Sequence, residues 1–294
     1  MENGNQIKTI SDALSFVGGE EGKTYTLTPT ANRTVQPIAL MRLGVFVPSA
    51  KNKPTTGRGN STIDASEDLR ELEIAKAEGY TNITIRGSRL DMSTDFKTWI
   101  GAIRAFSKYG DHSNRIELPF TEFAKLTGIA VDDINQRSRD RFFASLNRIA
   151  SIVVSFKNKD GSKATITHLL QSATFDIEKD IISLEGDSRL WELYAFDHKV
   201  LLQLKAIQAL PRKESAQALY VYIESMPNGF IQISLERLRE RLNLTSSVSA
   251  QNLAVRNAMK ELQKIGYLTY SEVKKDGVVY FQIHSRRPEL LPVE

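Results

Sequence analysis

The chain has 294 residues, of which 41% are apolar and 25% charged, and a net charge of +4. Those totals describe an ordinary globular protein with enough length for two cores. The lack of any cysteine excludes disulfides, thiolate zinc sites and cysteine nucleophiles, and it fits a reducing cytoplasm, where the protein is expected to work.

Residues 1–31 are polar and aperiodic and read as a flexible N-terminal segment, with no basic start and apolar run of the kind a secretory leader needs. "TVQPIALMRLGVFVP" (34–48) is apolar and expected to be ordered, while 49–62, rich in Pro, Gly, Ser, Thr, Asn and Lys, reads as a mobile loop. A short helix is expected from about Ser66, followed by the strand "TNITIRG". "DMSTDFKTWIGAIRAFSKYG" opens like a capped helix at Ser93, Thr94 or Asp95. Phe96, Trp99, Ile100, Ile103 and Phe106 form its buried stripe, and Gly110 ends it. No segment approaches the length of a membrane span.

A repeat follows. "RIELPFTEFAKLTG" (115–128) matches "FIQISLERLRERLN" (230–243), with Ile116, Leu118, Phe120 and Phe123 falling on Ile231, Ile233, Leu235 and Leu238 at an offset of 115. "SLNRIASIVV" (145–154) matches "AMKELQKIGY" (258–267) at an offset of 113, aligning Leu146, Ile149 and Ile152 with Met259, Leu262 and Ile265. A hairpin then closes each copy, and Lys159-Asp160-Gly161 meets Lys275-Asp276-Gly277 at an offset of 116. Asp-Gly between alternating runs predicts a two-residue turn. Matches across four elements in one order, strand, short helix, long helix and hairpin, indicate a single structural unit present twice. Each unit runs helix, strand, short helix, long helix, hairpin, which is a helix-turn-helix with a β-hairpin wing. The leading helix of the second copy is "KESAQALYVYIESM" (213–226), with Ala218, Leu219, Tyr222 and Ile223 facing inward.

In such a unit the second helix of the pair enters the DNA major groove. In copy two, Val255, Ala258, Met259, Leu262 and Ile265 mark the buried face of that helix. Ser249, Asn252, Arg256, Lys260 and Gln263 lie opposite; Ser247 and Gln251 stand near its N-terminal end, and Lys264 at its last turn. Amide side chains pair with adenine and arginine with guanine. The corresponding series in copy one is Arg137, Arg141 and Arg148, with Asn147 beside it. The wings supply Lys274 and Lys275 in copy two, followed by Arg286 and Arg287, and Lys157, Lys159 and Lys163 in copy one. A solvated face and a lysine-protected strand edge are the bland alternatives. The wing lysines hold the same slot in both copies, which favours phosphate contact. From Lys199 onward, 14 Lys and Arg face 9 Asp and Glu, so the basic excess lies in the last third.

The chain resembles the iteron-binding plasmid replication initiators, the RepA-type proteins of the Rep_3 class, from about Asn32 to Pro288. The most specific stretches are "TVQPIALMRLGVFVP", "RLDMSTDFKTWIG", "LWELYAFDHKVLLQLKAIQALPRKESAQALYVYIES" and "IGYL". The resemblance implies an α+β fold of two tandem winged-helix domains, here 32–197 and 198–288, with a tail at 289–294. It also implies double-stranded DNA as the ligand: origin direct repeats bound as a monomer and a promoter inverted repeat repressed as a homodimer. The dimer would form through the first domain and most base reading would fall to the second, with the host initiator and helicase as partners.

An enzymatic role is not expected. "GGEEGKT" (18–24) places Gly18 one residue too close to Gly22 for a phosphate-binding loop, and the four histidines show no ligand spacing. No cofactor or metal is anticipated. A winged-helix repressor without initiator activity is the alternative function. An RNA-binding or scaffold module is disfavoured because the recognition face lacks aromatic stacking platforms.

Overall fold

The computed structural model describes residues 9–18, 23–42, 44–49, 61–64, 80–87, 90–110, 113–158, 164–196 and 199–286. The loop expected at 49–62 falls mostly outside these residues, as do the helix expected from Ser66 and the tail.

The N-terminal reading needs correction. Residues Ile10–Leu14 form helix α1, whose Ile10, Ala13 and Leu14 are buried in the core. A reciprocal pair of bonds starts it: Thr9 N donates to Asp12 Oδ2 (3.0 Å) and Asp12 N to Thr9 Oγ1 (3.2 Å). That is a capping box, and one turn of helix is too short to display a 3.6-residue period. Strands β1 (Ser15–Gly18) and β2 (Lys23–Thr26) follow as an antiparallel pair.

Strand β3 (Arg33–Pro37), helix α2 (Ile38–Arg42), β4 (Phe46–Val47), β5 (Ser61–Asp64), β6 (Tyr80–Gly87) and β7 (Leu90–Asp91) lead to the first helix-turn-helix. Its leading helix α3 (Asp95–Tyr109) buries the whole predicted stripe, from Phe96 to Phe106. The start of α3 is held from outside. Asp91 Oδ1 accepts from Thr94 N (2.6 Å) and Asp95 N (3.4 Å), and Thr94 itself makes no side-chain cap. Next come β8 (Arg115–Pro119), α4 (Phe120–Leu126) and α5 (Gln136–Ala150), the last opened by an Asn135–Ser138 capping box.

Trp99 and Trp191 anchor the first core, Trp191 packing edge-on to Phe106 at 5.3 Å. Burying each such side chain contributes about 1.5–3 kcal/mol. One polar residue lies among them. Gln36 Oε1 accepts from Trp99 Nε1 (2.9 Å) and Tyr194 OH (3.0 Å), and Gln36 Nε2 donates to Thr34 Oγ1 (2.9 Å). A buried amide is tolerated because its donor and acceptor are both engaged.

After α5 the chain forms β9 (Val153–Asn158), β10 (Ala164–His168), β11 (Ser172–Asp176), β12 (Ile181–Glu185), helix α6 (Ser188–Phe196), β13 (Lys199–Gln203) and α7 (Leu204–Gln208). Strand β13 pairs with β3, so sheet pairing ties 199–203 to the first unit although the boundary was expected after 197.

The second unit is α8 (Glu214–Glu224), β14 (Ile231–Ser234), α9 (Leu235–Leu242), α10 (Val248–Lys264), β15 (Leu268–Lys275) and β16 (Val278–Arg286). The matched apolar positions of the two copies, from Ile116 to Ile152 and from Ile231 to Ile265, are buried in both. The β15–β16 turn is the predicted one: Asp276 and Gly277 adopt φ of 50° and 83°, the pair of positive values a type I′ hairpin needs.

The hairpins, however, do not correspond. In the second unit β14 pairs with β16, the far strand of the wing. In the first unit its counterpart β8 pairs instead with β12, aligning Leu118 with Ile182 and Ile116 with Leu184. The β9–β10 hairpin joins a separate sheet in the order β10-β9-β6-β5. A Lys-Asp-Gly turn fixes a hairpin locally but does not choose the sheet it enters. Inward-facing side chains make that choice.

The units meet where α2 lies against α8 and α9. Arg42 Nε and Nη2 both donate to Ser225 O (3.1 and 2.8 Å), and Arg241 Nη1 donates to Arg42 O. The Arg241 guanidinium lies over the Tyr222 ring at 5.1 Å. Burial, with Arg42 adding, pulls the Arg241 pKa down to about 10.

Candidate nucleic-acid interface

Helix α10 is built to present one polar face. Leu238 and Leu242 of α9 and Val255, Ala258, Met259 and Leu262 of α10 are all buried, and the two helices lie against each other. Asn243, at φ 44°, ends α9 in the left-handed conformation, and Ser247 Oγ accepts from Ala250 N (3.4 Å) to start α10. The loop between them is pinned by Gln251, whose Nε2 donates to Leu244 O (3.0 Å) and Ser246 O (2.6 Å). Gln251 was expected to read bases; here its amide shapes the entry to the helix.

The outward face carries Ser249, Asn252, Arg256 and Lys260 at helical spacing, with Lys264 exposed at the last turn. Two apolar side chains share this surface. Leu253 is 59% exposed and Val248 57%. Exposed apolar side chains of this kind are chemically suited to contact thymine methyls. They do not fit a division of α10 into an apolar inner face and a polar outer one. The available signal was a leucine off the Val255–Met259–Leu262 stripe.

Around this face, Arg239 Nη1 donates to Asn252 Oδ1 (3.5 Å) and Arg256 forms a bidentate pair with Glu272 on β15. Lys274 and Lys275 are exposed at the wing tip. Arg286, expected to follow the wing as a phosphate contact, is instead turned inward. It donates to Met226 O (2.7 Å), Asn228 Oδ1 (3.2 Å), Ile223 O and Pro227 O, closing the C-terminal end of α8. Arg287 lies outside the described residues.

In the first unit, Arg137, Arg141 and Asn147 are exposed on α5, alongside Phe143 at 58% exposure. Arg148 is not part of that face. Its Nη2 and Nε donate to Asp95, which is 1% exposed and also accepts from Ser145 Oγ (2.7 Å). The helix turns Arg148 toward α3, and the sequence spacing of Arg137, Arg141 and Arg148 concealed this because Asp95 lies 53 residues away. Lys157 belongs to β9, in the sheet with β6, while Lys159 and Lys163 lie outside the described residues. The turn that matches the second wing by strand pairing is the one between β11 and β12. There Ile177 is exposed and Asp180 pairs with Arg139 of α5.

The comparisons agree with this architecture. Residues 68–224 match the family model described as "Initiator Replication protein, WH1". "Replication protein RepA" of Salmonella typhi is 50% identical over 292 residues, covering 99% of this chain and 83% of that protein. "RepFIB replication protein A" of Escherichia coli (strain K12) is 53% identical over 272 residues, covering 92% of this chain and 84% of that protein. The chain belongs to the Rep3 initiator replication proteins. Among solved structures, domain 2 and domain 3 of RctB superpose with a TM-score of 0.50 at 15% identity, covering 85% of this chain and 98% of that one. That likeness supports the tandem α+β winged-helix fold.

As a Rep3 initiator the protein is a non-enzymatic DNA-binding protein of plasmid replication. No group of His, Asp and Glu able to hold a metal occurs among the described residues, and no described helix is long and apolar enough to cross a membrane.

Proposed function

We propose that this initiator binds directly repeated sites at its plasmid origin as a monomer, and represses its own promoter as a dimer built through the first unit. The observation that carries the reading is the α10 face. Ser249, Asn252, Leu253, Arg256 and Lys260 stand outward in one row, beside a wing tip bearing Lys274 and Lys275. Side chains of those types pair with base edges, and the wing lysines suit the phosphate backbone. The N-terminal end of α10 adds a favourable partial charge toward phosphate.

The first unit offers a weaker version of the same surface through Arg137, Arg141 and Asn147 on α5. Two such helices on one chain would enter successive major grooves about one turn, ~10 bp, apart. A monomer then protects roughly two turns of DNA. One chain holding two readers needs no partner on an asymmetric site, so loosening the dimer should raise occupancy of direct repeats and weaken autorepression. The host initiator and helicase are the proposed downstream partners, in the cytoplasm.

The test is a footprint of the full-length protein on its own origin and promoter. Arg256→Ala should cost about 1–3 kcal/mol on the repeat and far less on random duplex. Protection of a single groove at saturation would count against the two-reader arrangement. Equal loss on both DNAs would remove Arg256 from base reading.

A further inference from the structure

Arg256 does not approach DNA as an unrestrained side chain. Its Nε donates to both carboxylate oxygens of Glu272 (3.1 and 3.0 Å) and its Nη2 donates to Oε1 (2.7 Å). Glu272 sits on β15, the first strand of the wing, 16 residues from Arg256. The pair is roughly one-third exposed on both sides, so it adds little to stability. Its geometric effect is larger. A guanidinium is a planar group with five N–H donors. Engagement of the Nε and Nη2 edge leaves the Nη1 donors and one Nη2 donor on the adjoining edge. Arg256 makes no other hydrogen bond or ion pair among the described residues. That remaining edge is again a two-pronged fork, the shape that fits guanine O6 and N7. The pairing also holds the Glu272 carboxyl below its ordinary range, mainly through the Arg256 hydrogen bonds, so it stays ionised where the protein works.

We propose that Glu272 is a positioning residue for base recognition: it clamps Arg256 side-on from the wing and aims the remaining fork of the guanidinium at a guanine in the major groove. This rests on the reading of Arg256 as a base contact. Without the clamp, a long side chain must give up its rotamer freedom on binding DNA, and the preference for guanine weakens. Glu272 also places a negative charge beside the phosphate-facing wing, which lowers affinity for every duplex alike. The two effects have opposite signs, so they can be separated.

The experiment measures full-length wild type, Arg256→Ala, Glu272→Ala, Glu272→Gln and the double alanine variant. Each is titrated on the footprinted repeat, on the same repeat changed one base pair at a time, and on random duplex. Arg256→Ala should abolish the preference at one guanine, a loss of about 5- to 150-fold. Glu272→Ala and Glu272→Gln should weaken the preference at that same base pair by about 2- to 10-fold, less than Arg256→Ala does. Affinity for random duplex should hold or rise. In the Arg256→Ala background, Glu272→Ala should change the base preference no further. If Arg256→Ala removes a guanine preference and both Glu272 variants keep it, the positioning role is overturned while the base contact stands. If Arg256→Ala alters no base preference, both ideas fall together. If the Glu272 variants only tighten all duplexes equally, Glu272 is a surface charge and nothing more.

Discussion

Arg148→Ala tests whether the third arginine of α5 grips DNA or holds the first unit together. Asp95 is 1% exposed and takes Arg148 Nη2 at 2.6 Å, Arg148 Nε at 3.0 Å, Ser145 Oγ at 2.7 Å and the backbone N of Asp91 at 2.9 Å. Removing the guanidinium leaves a buried carboxylate with neutral donors only. Breaking one side of a buried pair costs about 3–5 kcal/mol, and since the Arg148 side chain retains 21% exposure the lower end, about 3 kcal/mol, is expected. With a urea dependence of about 3 kcal/mol per molar for a chain of this size, the midpoint should fall by about 1 M.

The loss should depend on pH. Burial is the largest influence on Asp95 and raises its carboxyl above the ordinary range; the Arg148 hydrogen bond opposes it, and Asp91 adds to the rise. The folded state therefore holds this proton more tightly than the unfolded chain. Its stabilising contribution is complete below the unfolded carboxylate pKa and is lost as pH rises through the folded one. Without Arg148 a lowering influence disappears, so the folded pKa climbs and the loss extends further upward. The cost of Arg148→Ala should accordingly be larger at about pH 8 than at about pH 4. Both tryptophans, Trp99 and Trp191, are buried in the first unit, so urea unfolding followed by their fluorescence reports on the right core. An unchanged midpoint together with weaker DNA binding would refute the structural assignment.

Arg286→Ala should cost about 1–3 kcal/mol by stripping the end of α8 of its donor, and leave the salt dependence of DNA binding unchanged, as thermal melts and salt titrations would show. Lys274→Ala with Lys275→Ala should weaken repeat and random duplex alike and flatten the slope of log K against log salt by about two units in binding isotherms. Leu253→Ala should leave stability within about 0.5 kcal/mol, given its exposure, yet lower affinity for the repeat more than for random DNA. A base-pair scan should place that loss at an A·T pair.

Much of the architecture is local and was therefore legible. The α3 stripe, the buried ridges of α5 and α10, and the Asp276-Gly277 turn depend on periodicity and on which residues accept positive φ, both properties of a short window. The doubled helix-turn-helix followed from matched apolar positions, because a repeated unit must repeat its core. Helix α1 escaped notice for a local reason too: one capped turn is below the length at which a period can be seen.

Tertiary structure alone decided which polar groups remain available to a ligand. Arg148 and Arg286 look as free in sequence as Arg141 and Lys275, but each has a partner brought to it by folding: Asp95 for Arg148 and the end of α8 for Arg286. The same holds for sheet membership. The β9–β10 hairpin and the β11–β12 hairpin are equally good hairpins; that β12, and not β10, lies beside β8 depends on how Ile182 and Leu184 fill the core. Hydrogen-bond satisfaction and side-chain packing act between residues far apart in the chain, and a window of neighbouring letters carries no record of them.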